Sequence, residues 1–162
     1  MPGPELTIRQ VVESDIRDFA AWRHEPPYDA YDITGPVDEA VEYFMRPSTN
    51  CHALVRDGDL AGFITFGSDA RVPGGDYAEP ATDIGLGIRP DLTGRGFGRS
   101  FVTRVAGFAS EWFGGRLRVS IAVGNPRAIK VWSDCGFSET QRFESPEAVL
   151  GSSNFVVLTR ND

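Results

Sequence analysis

The stretch richest in chemical possibility is IGLGIRPDLTGRGFGRSFV, where an apolar run at 82–88 passes through a glycine-rich turn into an amphipathic segment. At a helix N-terminus about four backbone N–H groups lack intrahelical acceptors, and the aligned peptide dipoles place roughly half a positive charge there. Gly94, Gly96 and Gly98 remove the side chains that would keep a diphosphate from those N–H groups, while Arg95 and Arg99 add positive charge. The cluster fits a phosphate cradle or a tight structural turn, since glycine triplets serve both. It is not a Walker A loop: no GxxxxGK[ST] occurs, and the first lysine is Lys130. A Rossmann fingerprint also fits poorly, because the glycines sit mid-chain, GxGxxG is absent at 94 and 162 residues leave no room for two nucleotide-binding halves.

The elements that must position this turn alternate in period. ELTIRQVV alternates as a half-buried strand and is followed by an amphipathic stretch from Glu13 through Trp22; a second helix spans 37–45 and stops before Pro47. CHALVRDGDLAGFITFG is two apolar runs joined at Asp57-Gly58, a hairpin signal because that dipeptide supplies the positive φ of a tight turn. A polar loop, ARVPGGDYAEP, precedes the strand at 82–88. Apolar residues at 101, 102, 105, 108, 109, 112 and 113 then share one helical face, RLRVSIAV reads as a strand, PRAIKVWSDCGF as a short helix, and two apolar runs close the chain. The expected order is βααβββαβαββ, a mixed α/β fold in one domain, residues 1–162.

Composition sets the class: 41% hydrophobic and 24% charged residues suit a globular domain with a substantial core. The net charge of −7 is divided unevenly, with 6 basic against 16 acidic residues in 1–83 (net −10) and 10 against 7 in 84–162 (net +3). An acidic chain repels phosphate backbones, so nucleic acid is not an expected partner. No apolar run approaches the roughly 18 residues of a membrane span, and the N-terminus has no leader pattern, so the expectation is a cytoplasmic protein without membrane contact. Cys51 and Cys135 stand far apart with no ligand spacing around them; neither a metal nor a disulfide is expected.

Two motifs in order sharpen the glycine cluster. Thr93-Gly94-Arg95-Gly96-Phe97-Gly98 resembles the [Q/R]xxGx[G/A] motif of the GCN5-related N-acetyltransferases (GNAT), and 27 residues beyond Gly98 the run Asn125-Pro-Arg-Ala128-Ile-Lys-Val-Trp132-Ser-Asp-Cys-Gly136-Phe137 resembles their NxxAxxxYxxxGF helix. The resemblance implies a mixed, twisted sheet of about seven strands flanked by four helices, whose fourth and fifth strands splay apart around acetyl-CoA. It further implies transfer of the acetyl group to a primary amine by direct attack in a ternary complex, and commonly a homodimer. The backbone N–H groups of residues 94–100, through Phe97, Arg99 and Ser100, would hold the pyrophosphate. Leu86, Gly87 and Ile88 would pair with the pantetheine arm, and the Asn125 amide would contact it.

Two departures bear on mechanism. Thr93 stands where the family has Gln or Arg, and Trp132 where many members place a Tyr that protonates the departing thiolate. An indole has no proton to give near neutrality, so no dedicated general acid is expected, or one supplied by water. A thiol pKa of about 8.5 makes the thiolate a fair leaving group with little proton help. For the base, the resemblance points to a carboxylate near the fourth strand: Asp83 first, Glu79 second. The two glycines interrupting that strand suggest a bulge at Leu86 or Gly87 with an N–H free for the oxyanion. The acceptor loop would be Trp22-Arg-His-Glu-Pro-Pro-Tyr28-Asp-Ala-Tyr31-Asp32, whose aromatics Trp22, Tyr28 and Tyr31 and three carboxylates suit a cation with an apolar body. His24 and His52 lack catalytic spacing and read as structural or exposed. The competing functions are acetylation of protein N-termini and non-catalytic acyl-CoA binding.

Overall fold

A computed structural model describes residues 3–149 and 151–162. The helices and strands follow the expected order: β1 (Leu6–Gln10), α1 (Glu13–Phe19), α2 (Val37–Met45), β2 (Cys51–Arg56), β3 (Asp59–Phe66), β4 (Thr82–Ile88), α3 (Gly98–Trp112), β5 (Arg116–Ala122), α4 (Pro126–Asp134), β6 (Ser138–Val149) and β7 (Ser152–Asn161). Among the described residues the strands form one sheet in the order β1-β2-β3-β4-β5-β7-β6. Every neighbouring pair is antiparallel except β4 and β5.

Local chemistry accounts for the elements. The β2–β3 turn holds Asp57 at φ 50° and Gly58 at φ 86°, the pair of positive values a two-residue hairpin requires. Asp15 ties the start of α1: its carboxylate accepts from the Val12 N–H at 2.9 Å and from both terminal nitrogens of Arg9 at 2.7 and 2.9 Å. On α4, Pro126 occupies the first turn, where its missing N–H costs nothing, and the Asn125 side chain accepts from the Ala128 N–H.

The sheet separates two cores. On one face α3 and α4 bury Phe101, Val102, Val105 and Trp132 against Leu54, Ile64, Ile84, Leu117 and Leu158. On the other, α1 and α2 bury Ile16, Phe19 and Ala40 with Phe44, Leu60 and Phe63. Burying each large side chain stabilises the fold by about 1.5–3 kcal/mol. The last turn of α3 falls short of the expected apolar face, leaving Trp112 and Phe113 exposed.

The decisive topological feature is the parallel β4–β5 pair. It consists of two register partners, Thr82↔Leu117 and Asp83↔Arg118, after which the strands diverge. All of 84–88 and 119–122 is extended backbone whose mutual edge is unpaired in the sheet. The expected splay is therefore present, with its apex at Asp83 and its mouth at the C-terminal ends of both strands.

Candidate active site

The β4 edge facing the splay follows from its hydrogen bonds to β3. Gly67 N–H donates to the Asp83 carbonyl at 2.8 Å and Arg89 N–H donates to the Ala61 carbonyl at 2.8 Å. Across a trans peptide the C=O and the next N–H point opposite ways, so the Ile84 N–H and the Ile88 carbonyl face the cleft, and by alternation so do both polar groups of Leu86. Gly87 lies between them with its backbone turned toward β3, where it is the register partner of Phe63.

The expected bulge is absent. Pairing of β3 with β4 runs without a shift from Gly62↔Ile88 to Phe66↔Ile84, and the irregularity lies in β2 at Leu54/Val55. The glycines of β4 serve close approach: a β-carbon on Gly87 would meet the Phe63 ring at 2.3 Å, and that ring is fixed in a 4.1 Å stack on Phe19. Of the two proposed oxyanion donors, Leu86 N–H faces the cleft without a bulge and Gly87 N–H does not. We expect Gly87→Ala to lower stability by about 1–3 kcal/mol, the usual cost of overpacking; a denaturation midpoint equal to the parent's would show that Phe63 can move freely.

At the mouth, Gly94 and Gly96 take φ values of 68° and 83°. Among the described residues, no backbone N–H in 94–100 makes a well-formed hydrogen bond, and Phe97, which caps α3, contributes no side-chain acceptor. Arg99 and Ser100 lie exposed on the first turn. Arg95 donates to the Asp91 carbonyl and stacks over Phe97, whose ring also carries Arg56 at 4.7 Å. Thr93 spends its hydroxyl on the Pro90 carbonyl at 2.7 Å, closing the preceding turn.

A further cation was missed in the sequence. Arg127, two residues past Asn125, brings its guanidinium within 3.0 Å of where a Gly94 β-carbon would be and lies 4.2 Å over the Tyr28 ring. The segment 22–32 reaches the same place. Tyr28 and Tyr31 stack at 6.5 Å, and the Asn125 amide donates to the Tyr31 hydroxyl at 3.1 Å while its carbonyl oxygen caps α4. Burial raises the pKa of Tyr31, with the Asn125 bond opposing it. Trp22 does not join them: it packs on Phe19 and Phe63 as part of the second core. Trp132, 4% exposed, packs edge-to-face on Phe137 within the first core.

The carboxylates expected to act as bases lie elsewhere. Asp83 is 1% exposed, and both oxygens are engaged: Arg118 donates at 2.6 and 2.8 Å and Arg71 at 2.9 Å. That is a structural ion pair at the closed apex, buried away from a substrate in the open part of the splay. Glu79 is exposed on the loop before β4, beyond the apex, and its carbonyl receives Arg118.

A different titratable pair does reach the cleft. His24 Nε2 lies 3.1 Å from the inward-facing Ile88 carbonyl, while Nδ1 lies 2.8 Å from Asp32 Oδ1, which also accepts the His24 backbone N–H at 2.8 Å. Burial works against the Asp32 carboxylate, yet the two bonds from His24 outweigh it and hold Asp32 below the ordinary carboxylate range. No spacing rule flags a histidine whose partners stand 8 and 64 residues away; only the fold brings them together.

Comparison with known proteins agrees with this fold. Residues 5–138 match the model of the acetyltransferase (GNAT) domain. The chain is 21% identical over 147 residues to spermidine N(1)-acetyltransferase of Vibrio cholerae serotype O1, covering 83% of this chain and 80% of that protein. Among solved structures, a spermidine N-acetyltransferase from Vibrio cholerae in complex with CoA and spermine superimposes with a TM-score of 0.75 at 17% identity, covering 96% and 95% of the two chains. A probable acetyltransferase superimposes with a TM-score of 0.73 at 20% identity, covering 97% and 93%. At these identities the structural likeness speaks for the fold.

Proposed function

The chain belongs to the GNAT acetyltransferase family, and on that premise we propose that it transfers the acetyl group of acetyl-CoA to a primary amine of a small cationic molecule, by direct attack in a ternary complex. Acetyl-CoA-dependent N-acetyl transfer is the family's activity; the cationic acceptor is the further step. The observation that carries it is the loop 22–32, which brings Tyr28, Tyr31 and the His24–Asp32 pair to the open end of the splay, with Glu25 and Asp29 exposed beside them. An ammonium with an apolar body gains both from the aromatic faces and from the local carboxylates.

The residues present fit the CoA substrate. The bare N–H groups of 94–100, on the N-terminus of a 15-residue helix, offer the pyrophosphate a cradle that Arg99 and Arg127 surround with charge. Leu86 and Ile88 offer the pantetheine arm a strand edge. Asn125 offers its amide once Tyr31 releases it. Leu86 N–H is the donor available to the oxyanion. With Trp132 confined to the core, no side chain at the Tyr position gives the thiolate a proton, and water serves instead.

Free CoA thiol, measured with purified protein and a panel of amines, tests the reading. Spermidine and spermine head the panel because a relative is named for the first and another was solved with the second; an aminoglycoside and a peptide with a free N-terminus complete it. Small polycations should raise release at least tenfold above the amine-free rate. Equal or better stimulation by the peptide would move the reading to protein N-termini, and bound acetyl-CoA with no stimulation by any amine would end it.

A further inference from the structure

We propose that Tyr28 and Tyr31 latch the segment 25–31 across the cleft mouth, and that the pantetheine arm of acetyl-CoA opens the latch by taking the Asn125 amide from Tyr31, a role resting on the acetyl-transfer reading above. The segment is attached so that it can move as a unit. At its base the Asp32 carboxylate accepts the His24 backbone N–H at 2.8 Å, and the flanking Trp22 and Ile33 pack into the second core. Between them the backbone bonds to itself: Tyr28 N–H donates to the Glu25 carbonyl at 2.9 Å and Asp32 N–H to the Asp29 carbonyl at 3.1 Å. Among the described residues no backbone bond ties 25–31 to a strand or to another helix, and none of Tyr28–Tyr31 is buried. A loop held this way lies at the low end of local stability and opens without disturbing either core.

Side chains therefore hold its tip. The base lies beside β4, where His24 Nε2 stands 3.1 Å from the Ile88 carbonyl, whereas Tyr28 and Tyr31 reach the start of α4, the helix that follows β5. The segment thus spans the mouth from one diverging strand to the end of the other. On the far side the Tyr31 hydroxyl accepts from the Asn125 amide at 3.1 Å, the Arg127 guanidinium lies 4.2 Å over the Tyr28 ring, and the two tyrosines stack at 6.5 Å. Ala30 adds a small apolar contact with the β6–β7 turn, where a β-carbon on Gly151 would come within 2.9 Å of the Ala30 β-carbon.

Both partners of the latch have a second use. The Asn125 carbonyl oxygen is committed to the cap of α4, so its NH2 is the end left for pantetheine, and the Tyr31 phenol stands 3.1 Å from it. Arm and phenol compete for one position. Arg127 is divided in the same way, since its guanidinium comes within 3.0 Å of the place of a Gly94 β-carbon and so borders the cradle as well as Tyr28. Apparent affinity falls in proportion to the fraction of molecules whose site is open. The latch therefore weakens CoA binding by what its contacts contribute: roughly three- to tenfold for one net hydrogen bond and roughly two- to fivefold for an exposed cation–π contact.

Isothermal titration of the full chain with CoA, and with ADP, which has the pyrophosphate but no pantetheine arm, tests the latch. Tyr31→Phe keeps the ring and its stack and loses only the hydroxyl. It should bind CoA roughly three- to tenfold more tightly than the parent and ADP with the parent's affinity, because ADP does not reach for Asn125. Tyr28→Leu, which frees Arg127 for the phosphates, should tighten both ligands roughly two- to fivefold. Melting curves show that each variant folds. Unchanged or weaker CoA binding in Tyr31→Phe, an equal gain for ADP in that variant, or no gain for either ligand in Tyr28→Leu would overturn the latch while leaving the acetyl-transfer reading standing. A parent that binds neither CoA nor ADP would bring down that reading and the latch with it.

Discussion

Asp83→Asn should destabilise the protein by about 3–5 kcal/mol, the cost of leaving a buried charge without its partner, and lower the melting temperature by roughly 10 °C at the slope usual for a chain of this size. The reason is the company the carboxylate keeps. Arg118 is itself 3% exposed, donates twice to Asp83 and once to the Glu79 carbonyl, and stacks 4.9 Å over the Tyr77 ring. Tyr77 in turn shares a hydrogen bond with Ser120 and accepts from the Val72 N–H. An amide at 83 turns a donor toward a guanidinium that can only donate. Because Asp83↔Arg118 is also the last register pair before the strands part, the same change loosens the apex, and acetyl-CoA affinity should fall along with stability. Thermal unfolding with and without acetyl-CoA checks this. A melting point within 2 °C of the parent, combined with a displaced pH optimum, would return Asp83 to the catalytic role its place in the sequence suggested.

Asp83 also shows where sequence reading succeeds and where it stops. Element order was legible because period and punctuation are local: Asp57-Gly58 demands its hairpin, and Pro126 after Asn125 starts a helix wherever the chain leads. The glycine turn before α3 was legible for the same reason, since its groups are consecutive in the chain. A carboxylate's role is not local. Asp83 and Asp32 look alike as letters, yet one meets Arg118 and Arg71 at the apex and the other meets His24 at the mouth. The partners of His24 stand on its own loop and on β4, and only the strand order β3-β4-β5 places the latter at a cleft. An aromatic after a helix serves a core or a cavity equally well, and Trp22 serves the core. Arg127 carries no signal of its own in the sequence, where Asn125 and Trp132 beside it carry the motif.

The charge division gains a sharper meaning from these placements. Three of the sixteen carboxylates in residues 1–83 are held in buried or half-buried pairs: Asp15 by Arg9, Asp32 by His24 and Asp83 by two arginines. Glu25 and Asp29, on the loop that carries Tyr28, stay exposed, and Arg127 lies over the Tyr28 ring. The basic half, by contrast, leaves Arg99 and Arg127 exposed at the cradle. On the proposed reading, the anionic donor and a cationic acceptor would each meet exposed charge of opposite sign near the cleft, which electrostatic steering favours at low salt.

Gly96→Val should reduce acetyl-CoA affinity by more than tenfold without unfolding the protein, and Gly107→Ala, 11 residues along the same polypeptide, should not. Neither glycine's β-carbon would meet another atom within 4 Å, so crowding does not separate them. Backbone does. Gly96 sits at φ 83°, a conformation that costs an L-residue about 1–2 kcal/mol and a β-branched one more. Valine relieves that strain by turning the peptide planes on either side, and those planes carry N–H groups that the proposed function assigns to the pyrophosphate. The loop is exposed and contributes little to either core, so the fold survives the change. Gly107 lies inside α3 with ordinary helical geometry, where alanine raises helix stability by roughly 0.5–1 kcal/mol. Isothermal titration of both variants with CoA, beside their melting curves, separates the outcomes. Parental affinity in Gly96→Val would mean that the free N–H groups of this turn do not hold the pyrophosphate, and the charge of Arg99 and Arg127 would have to account for CoA binding without them.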